Sequence, residues 1–281
     1  MAPPDFLILG AQKGGTTALY QYLAHHRAVQ SPAMKELHFF DIHFENGRNW
    51  YESQLGPEGS GDRLRGECSP YYLFHPLVPA RVAEYYPDVR MIVVLRDPIE
   101  RAFSHYRMMA ARGVEELSFS EALSAESRRL EGEEDRMLGE PSYRSHAHQC
   151  LSYRSRGFYA KQLQRWFEAM APERLLVLFS EDLKTEPDRS MRTVTDFLEI
   201  DPLPPGMSVE PIFVGPPGHL SDVDAETLAT AYKHANLDLA RLLASSEVTL
   251  GPFDHADWIR ATLAQAIERS RRQEWPREIP P

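Results

Sequence analysis

The sequence predicts an α/β fold: a P-loop-type three-layer architecture with a central, mostly parallel sheet flanked by helices. Three observations predict it. Strand-like and helix-like segments alternate along the chain. Two runs, Met91-Ile-Val-Val-Leu95 and Leu175-Leu-Val-Leu-Phe179, are unbroken apolar stretches, as strands covered on both faces are. A glycine-rich turn follows a short apolar run near residue 6 and opens a helical pattern. A length of 281 residues suits one large domain, and we expect a single domain over 1–281.

The elements follow in order. Phe6 to Leu9 is a short buried strand, too brief and too little flanked by basic residues to be a secretory core. A helix is expected from about Thr16 to His25, with Leu19, Tyr22 and Leu23 on its inner face. After the strand at 91–95, Asp97 can cap a helix whose first turn suits Pro98. Ile99, Phe103, Tyr106 and Ala110 form its apolar stripe, and Gly113 ends it. Further helices are expected at about Phe158–Met170, Arg189–Leu198 and Ala225–Leu243, the last marked by Leu228, Tyr232, Ala235, Leu239 and Leu242. The proline-rich segment 202–218 reads as a loop.

Composition narrows the function. A formal net charge of -10 repels nucleic acid, and no patch of interleaved aromatic and basic residues overrides it. The acidic run Glu131–Asp135 reads as a solvated helix end or loop, and Arg269-Ser-Arg-Arg272 as the wet face of a last helix. No stretch approaches the roughly 18 apolar residues that span a bilayer. Two cysteines, Cys68 and Cys150, exclude a disulfide framework and point to a reducing cytoplasm. No His, Cys, Asp or Glu cluster has metal-ligand spacing, so no metal is expected.

The chemistry starts at Gly10-Ala-Gln-Lys-Gly-Gly-Thr-Thr17. Strand, glycine turn and helix N-terminus turn backbone N–H groups toward an anion. Lys13 adds a full charge, Gly14 and Gly15 the freedom of the turn, and Thr16 or Thr17 a hydroxyl donor. An ATP-type loop sets lysine immediately before the Ser/Thr; here Gly15 stands there, and the lysine lies three positions before the first threonine. The dinucleotide pattern G-x-G-x-x-G is also absent. The loop thus binds phosphate while departing from both commoner patterns.

Further blocks follow in a fixed order: Lys35-Glu-Leu-His-Phe-Phe40, Gly66-Glu-Cys-Ser-Pro-Tyr71, Leu95-Arg-Asp-Pro-Ile-Glu-Arg-Ala-Phe-Ser-His-Tyr106, Arg156-Gly-Phe-Tyr159 and Phe179–Leu183. With Gly10–Leu19 they resemble the PAPS-dependent sulfotransferases, especially the branch of heparan sulfate N- and O-sulfotransferases with its bacterial relatives. The resemblance covers residues 5 to 200 well and the rest weakly. It implies PAPS as sulfuryl donor, with the loop of Lys13 on the 5′-phosphosulfate, Arg96 and Ser104 on the 3′-phosphate, and Tyr159 also at the donor. It makes Glu36 the base; His38, whose ordinary pKa lies nearer neutrality, is the reserve base on its own chemistry. The acceptor is expected to be a carbohydrate or a small-molecule natural product.

The residues support this unaided. Arg96 stands at the carboxyl end of a buried strand, where parallel sheets bind ligands. Asp97, Arg101, Ser104 and Met108 lie off the apolar stripe of the next helix. Arginine offers a planar fork to phosphate oxygens, and serine one more donor. Arg101 fits a surface salt bridge with Asp97 equally well. Sulfuryl transfer should proceed like phosphoryl transfer, by in-line attack and charge stabilisation, with Lys13 on the bridging oxygen. Lys35 should depress the pKa of Glu36 unless burial opposes it.

Two departures from the family's pattern stand out. Cys68 occupies a position where the family often has lysine. The late loop 216–220 has no lysine or arginine, which leaves His219 as the nearest substitute. Segments 41–64 and 114–155 are expected to shape the acceptor pocket. The rival readings are a P-loop small-molecule kinase and a non-catalytic nucleotide-binding scaffold.

Overall fold

Parallel pairing organises the strands of the computed structural model, which describes residues 2–30, 35–56, 63–203 and 218–252. Among these residues β1 (Phe6–Gly10), β2 (Val29–Gln30), β3 (Leu64–Cys68), β4 (Arg90–Leu95), β5 (Leu175–Phe179) and β6 (Thr249–Leu250) form one sheet. Their order is β2-β3-β1-β4-β5-β6, and every neighbouring pair is parallel. The expectation of a mostly parallel sheet is met by a wholly parallel one. The helices are α1 (Thr16–Ala24), α2 (Gly47–Gln54), α3 (Val78–Tyr85), α4 (Pro98–Ala111), α5 (Phe119–Arg129) and α6 (Glu133–Gly139). They continue with α7 (His146–Cys150), α8 (Tyr159–Ala169), α9 (Ser180–Thr185), α10 (Pro187–Leu198) and α11 (Asp222–Ser245).

The described residues cluster into two compact units. The first draws on Met1–Arg96, Gln162–Ile212 and Ser246–Phe253 and contains the whole sheet. All five residues of β1 and of β5 are buried, which explains why both read as unbroken apolar runs. Ile8, Ile92, Val94, Leu176 and Leu178 share one core with Leu19 and Leu23 of α1 and Met191, Val194 and Leu198 of α10. Full burial of each such side chain is worth about 1.5–3 kcal/mol. A second cluster of the same unit is aromatic: Phe39 stacks on Tyr51 at 4.5 Å, and Phe40 meets Tyr72 edge-on at 5.5 Å.

The second unit draws on Asp97–Lys161 and Phe213–Ser245. Its core joins Ile99, Phe103 and Met109 of α4 to Phe119 and Leu123 of α5 and to Leu228 and Tyr232 of α11. The Asp97 carboxylate caps α4 by accepting from the Ile99 and Glu100 N–H groups at 2.8 and 3.0 Å, and Pro98 fills the first turn. Gly113 follows the helix in the left-handed region, at φ 68°. Ile99 and Phe103 are buried as expected, whereas Tyr106 and Ala110 are half-exposed and Ala102 and Met109 complete the buried face. The helices expected near 158, 189 and 225 are α8, α10 and α11. The acidic run at 131–135 leads into α6, where Glu133, Glu134 and Asp135 occupy the first turn and complement the helix dipole. Most of the proline-rich loop and the cluster Arg269–Arg272 lie outside the described residues. No helix among the described residues is long and apolar enough to cross a membrane.

Candidate active site

The glycine loop between β1 and α1 lies against the end of β4. Ala11 N–H donates to the Val94 carbonyl at 2.9 Å, and Gly14 N–H to the Ala11 carbonyl at 2.8 Å. A Cβ on Gly14 would stand 2.3 Å from the Val94 oxygen, so this approach admits only glycine. Gly15 caps α1 at φ 105°, a conformation open to glycine at little cost. Thr16 and Thr17 begin the helix, whose first N–H groups have no partner within it. Arg96 reaches back from the end of β4 and donates from Nη1 to the Lys13 carbonyl at 3.3 Å. Residues 83 positions apart therefore meet at the loop.

A cluster of charges adjoins the loop. Lys35 Nζ donates to Thr17 Oγ1 at 2.7 Å and to Glu36 Oε1 at 3.1 Å. His38 Nε2 lies 3.4 Å from Glu36 Oε2, and its Nδ1 is 2.7 Å from Asp41 Oδ2. Burial opposes charge on His38, but the hydrogen bonds to Asp41 and Glu36 outweigh it and push the pKa up to about 10. His38 is thus an imidazolium at neutral pH, donating from both nitrogens. Burial likewise works against the Glu36 carboxylate, yet the His38 bond and the Lys35 charge hold its pKa below the ordinary value. The balance anticipated between Lys35 and burial settles on the side of the charges.

Backbone strain marks the same residues. Among the described residues four non-glycine positions have positive φ: Lys13 at 68°, Glu36 at 62°, His38 at 51° and Glu199 at 58°. Three of these four are the side chains nominated for catalysis; Glu199 is the C-cap of α10. Each such conformation costs about 1–3 kcal/mol and persists only where its surroundings impose it.

For Glu36 and His38 those surroundings come from the strand end at 67–72. Glu67 Oε2 accepts the Leu37 N–H at 3.2 Å, Ser69 Oγ the His38 N–H at 3.1 Å, and the Tyr72 hydroxyl the Phe39 N–H at 2.8 Å. Ser69 and Tyr72 in turn donate to the two Glu67 oxygens at 2.9 and 2.7 Å. Glu67 is fully buried, and burial, opposed by these hydrogen bonds, raises its pKa to about 7. Sequence reasoning missed this cradle, along with Asp41. The available signal was Glu67 and Ser69 inside the block at 66–71, with Tyr72 immediately after it. Cys68 lies between them with no exposure; its Sγ is 3.8 Å from the Thr16 carbonyl, and burial pushes its pKa to about 12. This position therefore brings no charge.

The remaining nominated residues belong to the second unit. Ser104 is half-buried on α4, Tyr159 is buried at the start of α8, and His219 is exposed. Arg101 is not a surface residue: it is fully buried, and its Nη2 donates to the Tyr153 carbonyl. The Asp97 carboxylate serves as the α4 cap. Among the described residues no group of three or more His, Cys, Asp or Glu side chains is arranged to hold a metal ion.

Comparison with known proteins adds the following. Residues 3–212 match the family described as "Sulfotransferase domain". The bifunctional heparan sulfate N-deacetylase/N-sulfotransferase 2 of Homo sapiens is 32% identical over 209 residues, which cover 71% of this chain and 22% of that protein. Heparan sulfate glucosamine 3-O-sulfotransferase 3B1 of Mus musculus is 32% identical over 195 residues, 69% of this chain and 46% of that one. The chain thus spans less than half the length of these curated relatives. The crystal structure of a sulfotransferase from Alicyclobacillus acidocaldarius matches with a TM-score of 0.69 and 28% identity, covering 87% of this chain and 97% of the other.

Proposed function

The chain belongs to the sulfotransferase domain family, and from that premise we propose that it transfers a sulfuryl group from PAPS to an acceptor hydroxyl or amine. The observation that carries the reading is the hydrogen-bonded path from the loop to the carboxylate: Thr17, Lys35, Glu36, His38, Asp41. An anion-binding turn and an ionised carboxylate held in one network are what a transfer between a bound phosphosulfate and an acceptor needs.

In this reading Gly14 lets the turn pack against β4, while the Gly15 N–H and the hydroxyls of Thr16 and Thr17 hold the 5′-phosphate. Lys13 offsets charge growing on the bridging oxygen. Arg96 and Ser104 take the 3′-phosphate, with Tyr159 and His219 also assigned to the donor. The acceptor oxygen or nitrogen bonds to sulfur as the bond from sulfur to the bridging oxygen breaks, and adenosine 3′,5′-bisphosphate leaves. Glu36 takes the acceptor proton. In this reading His38 is already protonated and acts as a positioning residue: its Nε2 holds Glu36, while Asp41 holds its Nδ1. The relatives' names support a carbohydrate acceptor, and a natural-product acceptor fits the same chemistry. Segments 41–64 and 114–155 are assigned to the acceptor. We retain one catalytic domain, and the two free thiols support a cytoplasmic setting.

Radiolabelled PAPS offered with pooled saccharide and phenol acceptors tests the activity, and calorimetry with adenosine 3′,5′-bisphosphate tests the donor. Glu36→Gln should bind that nucleotide within about threefold of the wild type and lose roughly 10²–10⁴ in turnover. Near-normal turnover by Glu36→Gln, with His38→Ala inactive, would overturn the base assignment. Thermal stabilisation by Mg-ATP alone would replace the whole reading with a kinase.

A further inference from the structure

Lys13 is not the sole ammonium at the loop. Lys35 returns from 18 residues beyond Thr17 to donate to its hydroxyl at 2.7 Å, and the same Nζ donates to Glu36 at 3.1 Å. An ammonium carries three N–H donors, and these two bonds use two of them. A neutral hydroxyl is a poorer partner for a cation than an anionic oxygen, to which charge–charge attraction is added. The side chain is 27% exposed, so the ammonium is partly withdrawn from water and still free to shift. Lys35 thus bridges the group that would hold the donor and the group that would take the acceptor's proton.

We propose that Lys35 is a second cation of the transfer site, exchanging its bond to Thr17 for an oxygen of the sulfuryl group of PAPS. The inference rests on the sulfotransferase reading. Lys35 keeps its proton throughout and supplies charge alone; sulfur still passes from the bridging oxygen to the acceptor, and the acceptor proton goes to Glu36. The neighbouring strand end offers no competitor for this role, because Cys68 presents a buried thiol there, beside the Thr16 carbonyl. The threonine pair of the loop is thereby met by a lysine from a different segment.

Calorimetry with PAPS and with adenosine 3′,5′-bisphosphate tests this without a known acceptor, because the two nucleotides differ by the sulfuryl group. Lys35→Met should weaken PAPS about tenfold or more and the bisphosphate less than threefold. Lys35→Arg should recover part of the loss, and Lys13→Met should weaken both nucleotides. The selective loss should persist when Lys35→Met is made in a Glu36→Gln background. Equal weakening of both nucleotides, no weakening of PAPS, or a loss that vanishes in the Glu36→Gln background each overturns the proposal. A wild type that binds neither nucleotide overturns the sulfotransferase reading itself.

Discussion

Replacing His38 with glutamine removes a positive charge whose size is written in the pH dependence of stability. Burial disfavours that charge, but the contacts with Asp41 and Glu36 raise the pKa from 6.5 to about 10. Between these two values the native chain holds one proton more at this position than the unfolded chain. The contribution of His38 is therefore complete below pH 6.5 and is lost as the pH rises through about 10. Across that window it falls by about 1.4 kcal/mol per pH unit. Urea unfolding of the wild type and of His38→Gln at steps from pH 7 to pH 9 should show their stability difference shrinking by roughly 2–3 kcal/mol. Nuclear magnetic resonance of the ring should find it still protonated at pH 9. A stability difference that is flat across this range, or a ring that titrates near 6.5, refutes the argument.

Two further substitutions address the loop and the cradle. Gly14→Ala places a Cβ 2.3 Å from the Val94 oxygen and 2.8 Å from that of Ala11; the chain should lose about 1–3 kcal/mol and most of its affinity for adenosine 3′,5′-bisphosphate. Calorimetric unfolding and titration check both, and an unperturbed variant would show that the loop yields easily. Tyr72→Phe deprives Glu67 of one donor and the Phe39 and Phe40 N–H groups of their acceptor. Stability should fall by about 1–3 kcal/mol, and turnover should fall with donor affinity retained, because the Glu36 and His38 bends lose support. Turnover that survives intact would detach the cradle from catalysis.

What could be read in the sequence was what local chemistry determines. β1, β4 and β5 announce themselves as apolar runs because both faces are covered, and α4 because Asp97 and Pro98 mark its start. The loop stood out because a lysine and paired threonines, unlike the glycines, have no purpose in a plain turn. β2 and β6, at two residues each, are too short for any periodicity to register. β3 was hidden for the opposite reason: Arg65 and Glu67 are charged, yet both are buried in it. The charge cluster was half legible. Glu36 and Lys35 are neighbours in sequence, and their contact follows from that. The bonds from Glu67, Ser69 and Tyr72 join segments about thirty residues apart, and only the sheet brings those segments together.

The strand order carries a consequence for synthesis on the ribosome. β2, β3, β1 and β4 are adjacent in the sheet and all emerge within the first 95 residues. β5 arrives about 80 residues later, and β6 only at Thr249. At roughly 5–20 residues per second, the exposed flank of β4 waits several seconds for its partner. During that interval its unpaired N–H and C=O groups form an edge able to recruit another nascent chain. Slowing elongation between codons 96 and 175 should therefore raise aggregation, and a chaperone that shields strand edges should matter most in that same window.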